Sequence, residues 1–283
     1  MKIWITGSNG ALGKALISFL ETENIYKKEI FLTDITPTQD KRYYKVSLEK
    51  KEEIIKFINE YQISHIFHLA GSFSNQIEID MQNNVTNSLN IIQAIEACNP
   101  TISLLLIGSA AEYGMIQPNE NPIPETHILN PVSIYGLTKA LQTQIFEFYA
   151  KKEMNIFLAR IFNLLDKNIS DKLLVGKVHN ICKKIQNKEL MYLELGNLES
   201  QRDYISTKEA AKMLFNIIEK GKKGEVYNVG SGKPIMIKEL VKNILDEYNL
   251  DFSVVKIKNF STKYDVPSIY ADIQKYQQLF LSL

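Results

Sequence analysis

The chain has 283 residues, enough for one large α/β domain with a smaller lobe, and its 33 basic against 32 acidic residues leave a net charge of +1. That balance offers no broad basic face for nucleic acid or an anionic membrane surface, so an anionic ligand has to be held locally. Two separated cysteines, Cys98 and Cys182, and four histidines, His65, His68, His127 and His179, lack metal-ligand spacing, and no apolar run is long enough to span a bilayer, so the expectation is a cytoplasmic protein without a structural metal.

Lys2 to Thr6 reads as a first buried strand. Thr6-Gly7-Ser8-Asn9-Gly10-Ala11-Leu12-Gly13 follows it and opens a helix in which Ala11, Leu12, Ala15, Leu16, Phe19 and Leu20 recur at helical spacing. In this setting Gly7 permits a tight turn, Gly10 lets backbone N–H groups approach a pyrophosphate, and Gly13 lets the helix pack close to the strand, its N-terminus facing phosphate charge. The bland reading of the same glycines is an ordinary strand-to-helix turn.

A second strand, Glu29 to Thr33, ends at Asp34, where a carboxylate accepts hydrogen bonds from an adenosine ribose and repels a 2′-phosphate. This favours NAD(H). Lys41 and Arg42 follow closely and keep NADP(H) open, and Asp34 is equally able to cap a turn.

Further on, Glu49 to Tyr61 has helical periodicity, with Glu49 to Glu53 a solvated face, His65 to Ala70 reads as a strand, Val85 to Cys98 as a helix and Ile102 to Ser109 as a strand. Tyr135 to Lys152 and Asn155 to Phe162 give the next helix and strand, so the first half is a doubly wound βαβ arrangement. After Asn163 the order changes. A helix from Leu173 to Asn187 precedes strand-like Leu190 to Glu194; Ser206-Thr207-Lys208-Glu209, a capping-box pattern, opens a helix toward Lys220, and Gly224 to Gly230 reads as a strand.

Tyr135 and Lys139 lie one helical turn apart on one face. A free tyrosine is a poor acid or base at neutral pH, and a neighbouring ammonium brings its pKa toward the working range. Spacing alone decides little, because Tyr204 and Lys208 repeat it. Context separates the two: Ser109 ends an apolar strand upstream of Tyr135, where its hydroxyl could share a substrate carbonyl oxygen with the tyrosine.

Beyond the glycine loop stand His68-Leu69-Ala70-Gly71, Asn84, Ser109-Ala110-Ala111-Glu112-Tyr113-Gly114, the Tyr135/Lys139 pair and Arg160-Ile161-Phe162-Asn163. Later come Gly196-Asn197-Leu198, Gln201-Arg202-Asp203-Tyr204 and Gly224-Glu225-Val226-Tyr227-Asn228-Val229-Gly230-Ser231-Gly232. With these motifs, nearly the whole chain resembles the extended short-chain dehydrogenases/reductases that modify nucleotide-sugars, and most of all their 4-keto-6-deoxy-sugar reductases, especially the GDP-4-keto-6-deoxymannose reductase group.

The resemblance implies an α/β fold: a doubly wound parallel Rossmann sheet with a smaller C-terminal substrate lobe. The Rossmann domain would be residues 1–162 with a returning segment 203–230, and the nucleotide-sugar lobe 163–202 and 231–283. It makes Tyr135 the proton donor, Lys139 its pKa modulator and nicotinamide-ribose ligand, and Ser109 the carbonyl-orienting hydroxyl. Gly7, Asn9, Gly10, Ala11, Leu12, Asp34, Leu69, Ala70, Gly71, Asn84 and Ile161 would join Tyr135 and Lys139 in holding the cofactor. Ser109, Ala110, Ala111, Asn163 and Arg202 would meet the substrate, the last two at its diphosphate, with an Arg202 to Asp203 salt bridge as the plainer alternative. His68 reads as structural.

Dehydratases of this family carry an acidic pair where Ala110 and Ala111 stand, and epimerase-reductases a cysteine at the Ala111 place, so neither elimination nor C3/C5 epimerisation has its proton carrier here. Glu112 stands one position too late and, on a continuing strand, would face away from Ala111. Plain reduction of a C4 ketone in deoxysugar and polysaccharide precursor synthesis fits best. A 4-epimerase using the same three residues stays open, and a non-catalytic NAD(P) sensor is a lower alternative. Relatives pair through helices Val85 to Cys98 and Tyr135 to Lys152, which implies a homodimer. The chain stops soon after Asp265-Val266-Pro267 and Ala271-Asp272, without the Gly-Trp-x-Pro segment and last helix of many relatives, a departure that bears on closure of the substrate lobe, and Leu164-Leu165-Asp166-Lys167 replaces the usual Gly-Pro turn, which is expected to reshape the sugar pocket.

Overall fold

The structure, a computed structural model, describes residues 1–22, 29–258 and 266–281, so Asp265 lies outside the described residues. Strand β1 (Lys2–Thr6) has Ile3, Trp4 and Ile5 fully buried and leads through the glycine loop into α1 (Ala11–Thr22). β2 (Glu29–Thr33), α2 (Lys51–Tyr61) and β3 (His65–His68) follow. The next helical run is longer than the expected Val85 to Cys98: it begins at α3 (Ile77–Asp80), widens into a π-helical turn over Met81–Thr86 and continues as α4 (Asn87–Cys98). The polar stretch Gln82-Asn83-Asn84 hides this beginning, since Asn84 faces inward and is fully buried.

β4 (Ser103–Ser109), α5 (Ile134–Ala150) and β5 (Ile156–Ile161) complete the first half. The second half runs β6 (Asn163–Leu165), α6 (Leu174–Gln186), β7 (Leu193–Leu195), β8 (Gln201–Ser206), α7 (Thr207–Lys220), β9 (Val226–Val229), β10 (Pro234–Met236), α8 (Ile237–Glu247), β11 (Val255–Ile257), β12 (Ser268–Ile269) and α9 (Gln274–Gln278). The strand expected over Leu190 to Glu194 starts later, because Met191 is 86% exposed and has no pleat to fill.

Six strands form one parallel sheet in the order β2-β1-β3-β4-β5-β9. Their runs are apolar without alternation because helices cover both faces. Leu16 and Leu20 of α1 and Leu214 and Ile217 of α7 pack on one face; Ile54 and Phe57 of α2, Ile91 and Ile95 of α4 and Phe146 of α5 pack on the other. The doubly wound sheet expected from the alternating runs is what forms.

The chain leaves β1 toward β2 and later returns to β3 on the opposite side, so strand order reverses between β1 and β3. At such a point the loops after two neighbouring strands diverge and open a crevice at their carboxyl ends. Here those loops are the glycine loop and Leu69-Ala70-Gly71.

A smaller mixed sheet, β10-β8-β12 with β6 also on β8, joins the second half to the main sheet. α6 and α8 pack through Val175, Val178, Leu240 and Ile244 beside the β11-β7 pair. Along the α4 and α5 faces named for dimer contacts, Met81, Val85, Leu89, Leu141, Ile145 and Phe148 line a shallow apolar groove of about 270 Å³. Among the described residues no helix is long and apolar enough to cross a membrane.

Candidate active site

The crevice is built by close approach of backbone. Gly7 has φ +67°, and a Cβ there would stand 2.7 Å from the Ala70 nitrogen, so glycine alone lets the two loops touch. A Cβ on Gly13 would meet the Gly7 carbonyl at 2.5 Å, which is why α1 can start directly against the turn. Lys14 donates to the Gly10 carbonyl, leaving the amides of Ala11, Leu12 and Gly13 without a carbonyl one turn back. These free donors at a helix N-terminus fit a pyrophosphate.

Asp34 closes one end of this cradle. Its carboxylate accepts from the Asn9 amide at 2.9 Å and the Thr36 amide at 3.0 Å, while the Asn9 side chain donates to the Thr36 carbonyl. The turn-capping alternative is therefore present, and it fixes the carboxylate at the strand end. Arg42, one of the two cations that kept a 2′-phosphate open, is held by both oxygens of Asp40 and by Glu21 at 2.7 Å. That pairing holds the Asp40 carboxyl at about 2. Lys41 is exposed.

On the β3 side, the Leu69 amide donates to the Thr6 carbonyl and the Ala70 amide to Thr6 Oγ1. Thr6 Oγ1 also meets His68 Nδ1 at 2.8 Å, and His68 Nε2 meets Ser88 Oγ at 3.1 Å. Ser88 already donates to the Asn84 carbonyl, so His68 is the Nε2–H tautomer, and burial pushes it down to about 3. It braces the loop as a neutral ring. Asn84, expected at the cofactor, is held by the neighbouring loop and helix: its amide accepts from the Ser72 N–H and donates to the Ser72 carbonyl and Thr138 Oγ1. It shapes the loop around Gly71, where a Cβ would stand 2.9 Å from Asn84 Oδ1 and 3.5 Å from Lys139 Nζ. Ile161 is a core residue packed with Val229 and Ile5.

Ser109 is the last residue of β4, and Tyr135 lies in the first turn of α5, whose N-cap Ser133 accepts from the Gly136 amide at 3.0 Å. A Cβ on Gly136 would meet the Ala111 carbonyl at 2.5 Å, so glycine lets α5 dock on the turn after Ser109. The Tyr135 side chain lies beside Ser109, and its ring stands edge-on to Phe73 at 5.0 Å. Burial pushes the phenol up to about 12, with Ser109 opposing.

This corrects the expected electrostatics. Lys139 Nζ turns to the Ile107 carbonyl at 2.8 Å and Gln142 Oε1 at 3.1 Å, and burial lowers its pKa to about 8. In this arrangement its charge is held by those acceptors and leaves Tyr135 a phenol at neutral pH. The rival pair resolves cleanly: Tyr204 is in strand β8 and Lys208 is exposed in α7, so their spacing spans a strand-helix junction and not one helix face.

Beyond Ser109 the strand does not continue; Ala110–Glu112 is a 3₁₀ turn. Glu112, anticipated on a strand face, instead folds back and is fully buried against Arg160 at 2.9 Å. Glu112 therefore does not take the place of an acid at Ala110 or Ala111. Asn163 sits on the β6–β8 ladder and Arg202 earlier in β8, between Ile235 of β10 and Ile269 of β12: Asn163 Nδ2 donates to the Asp203 carbonyl, and Arg202 to the Gln201 and Val266 carbonyls. The Asp203 carboxylate accepts from Ser231, Gly232 and Ala271.

Residues outside the motifs complete the site. Phe73 beside Tyr135 is held in a loop whose Ser72 and Ser74 hydroxyls donate to Asp80. Thr143, one turn past Lys139, had a usable signal in the helical repeat from Tyr135, and its hydroxyl donates to Glu112.

A family model described as the NAD dependent epimerase/dehydratase family matches residues 3–230. A GDP-6-deoxy-D-mannose reductase of Pseudomonas aeruginosa is 25% identical over 199 residues, covering 68% of this chain and 65% of that protein. A putative UDP-glucose 4-epimerase of Methanocaldococcus jannaschii is also 25% identical, over 98% of this chain and 92% of its own. Among solved structures, RMD from Pseudomonas aeruginosa, complexed with NADPH, superposes with a TM-score of 0.84 at 20% identity, covering 98% of this chain and 91% of that one.

Proposed function

The chain belongs to the NAD-dependent epimerase/dehydratase family, and from that premise we propose that it reduces the C4 ketone of a nucleotide-activated 4-keto-6-deoxyhexose, a GDP-sugar being favoured, with a reduced nicotinamide cofactor. One observation carries the reading: α5 docks its first turn, with Tyr135, on the turn that follows Ser109, and that turn carries methyl groups where elimination needs an acid and a base. When bound, the nicotinamide supplies the hydride.

The chain's own residues do the rest. Ser109 and Tyr135 converge on the carbonyl oxygen, and Tyr135, held as a phenol, already carries the proton that oxygen must receive. Lys139, resting on the Ile107 carbonyl and Gln142 while Tyr135 is a phenol, is the cation that would turn to the tyrosinate left behind. The glycine loop and the first amides of α1 fit the cofactor pyrophosphate, with Asp34 at its ribose.

The test mixes purified protein with NADH or NADPH and GDP-, dTDP-, CDP- and UDP-linked 4-keto-6-deoxy sugars while following nicotinamide absorbance. Oxidation with one nucleotide class supports reduction. The 4-epimerase is a second reading, favoured by the 98% coverage of this chain in the epimerase alignment. Interconversion of UDP-hexoses without net cofactor oxidation would establish it instead.

Two expected results follow from local charge. The reduction rate is flat across neutral pH and falls above about 8, where Lys139 loses its proton. Burial disfavours the ammonium, so the limb lies below the ordinary lysine range, and His68, at about 3, adds no limb near neutrality. A pH–kcat profile checks both. Asp34→Ser removes the carboxylate that repels a 2′-phosphate, so the NADPH-to-NADH ratio of kcat/KM rises by about tenfold or more; an unchanged ratio refutes the assignment of Asp34 to the ribose.

A further inference from the structure

One buried carboxylate touches both elements that carry the reacting hydroxyls. Glu112 Oε1 accepts from the Ser109 backbone N–H at 2.6 Å, and Oε2 accepts from Thr143 Oγ1 at 2.7 Å and Arg160 Nε at 2.9 Å. The first bond grips the end of β4. The second grips α5 on the face that also presents Tyr135 and Lys139, because Tyr135, Lys139 and Thr143 recur every four residues.

We propose that Glu112 is a positioning residue, which sets the separation of the Ser109 and Tyr135 hydroxyls by tying strand β4 and helix α5 to a single buried carboxylate. Three observations bear on it. The Ser109 side chain is itself engaged in the turn that Glu112 closes, accepting from the Ala111 amide at 3.2 Å, so the carboxylate governs where Oγ points. A Cβ on Gly108 would meet Glu112 Oε1 at 2.6 Å, so the strand is glycine where the carboxylate must approach it. Arg160 holds the far side, anchored in turn on the Tyr113 hydroxyl and the Glu125 carbonyl, so the carboxylate cannot drift. Hydroxyls that share one carbonyl oxygen need their spacing held to a fraction of an ångström, and a helix and a strand end have no common backbone to provide it.

The proposal rests on the reading of Ser109 and Tyr135 as the reacting pair. Removing Glu112 would leave Arg160 buried without a counter-ion and destabilise the whole chain, so the test uses its partner. Thr143→Val in the full chain keeps the side-chain shape and both other bonds of Glu112 and deletes only the tie to α5; Thr143→Ser restores it. Protein labelled with ¹³Cζ-tyrosine, with the Tyr135→Phe spectrum assigning the resonance, reports the Tyr135 hydroxyl without any substrate. The expected result is a displaced Tyr135 resonance in Thr143→Val and kcat lower by about tenfold with KM within about twofold, both returning in Thr143→Ser. A lower Tm with Tyr135 resonance and kcat at wild-type values, or no return in Thr143→Ser, overturns it. Should the wild type turn over none of the keto sugars, the functional reading falls, and the resonance comparison alone decides the positioning role.

Discussion

Tyr135→Phe is expected to lower turnover by about a thousandfold while the nicotinamide cofactor still binds. The substitution is clean, because the ring remains edge-on to Phe73 at 5.0 Å and only the hydroxyl is lost. What disappears is the proton. Burial holds Tyr135 as a phenol with a pKa of about 12, so at neutral pH the donor is fully loaded, and Ser109, an ordinary aliphatic alcohol, offers the developing alkoxide a hydrogen bond but is too weak an acid to give up its proton. Nicotinamide absorbance measures the rate, and quenching of cofactor fluorescence measures binding. A variant that retained turnover within tenfold of wild type would remove Tyr135 from the chemistry.

Arg160→Met is expected to cost about 3–5 kcal/mol of stability at neutral pH. Arg160 is 2% exposed and Glu112 is fully buried, so removing the guanidinium leaves a carboxylate sealed from water with only neutral donors. Burial already pushes the Glu112 carboxyl up, and Arg160 is first among the influences opposing that rise. Without Arg160 the folded-state pKa climbs further above the unfolded one. A group raised in this way stabilises the fold below its unfolded pKa and loses that contribution as pH rises through the folded value, so the deficit of Arg160→Met shrinks on mild acidification. Urea unfolding of both proteins at neutral and mildly acidic pH checks it; an equal deficit at both would show that lost packing, and not the orphaned charge, is responsible.

The two substitutions probe different layers of one site. On the proposed reading Tyr135 meets the carbonyl, whereas Arg160 lies behind Glu112, which bonds the Ser109 amide. Turnover per folded molecule should therefore collapse in the first and stability in the second.

Much was legible in the residues themselves. Lys2 to Thr6, Ile102 to Ser109 and Asn155 to Phe162 announce parallel strands because a sheet covered on both faces must be apolar without alternation. Gly7, Gly10 and Gly13, placed between a strand and a helical repeat, announce a tight turn for steric reasons that hold in any tertiary setting. Tyr135 and Lys139 could be placed on one face by the period of the helix alone.

Tertiary structure decided what periodicity cannot carry. Whether Tyr135 or Tyr204 begins the helical pair depended on which segment folds as a strand, and β8 becomes one by pairing with β6, β10 and β12, partners distant in sequence. The destination of the Lys139 ammonium depended on a carbonyl of β4 and on Gln142, and that of Asn84 on Ser72 and Thr138, contacts that exist only once α4, α5 and β4 have packed. Glu112 read as a misplaced acid because a strand was expected to run through it; a 3₁₀ turn carried its side chain back beneath Ser109 instead. Repeats and steric requirements are local and therefore written along the chain. The partner of a buried polar group is set by whatever donor or acceptor the folded neighbours bring within reach, since burial without one is costly, and only the packed chain determines which group that is.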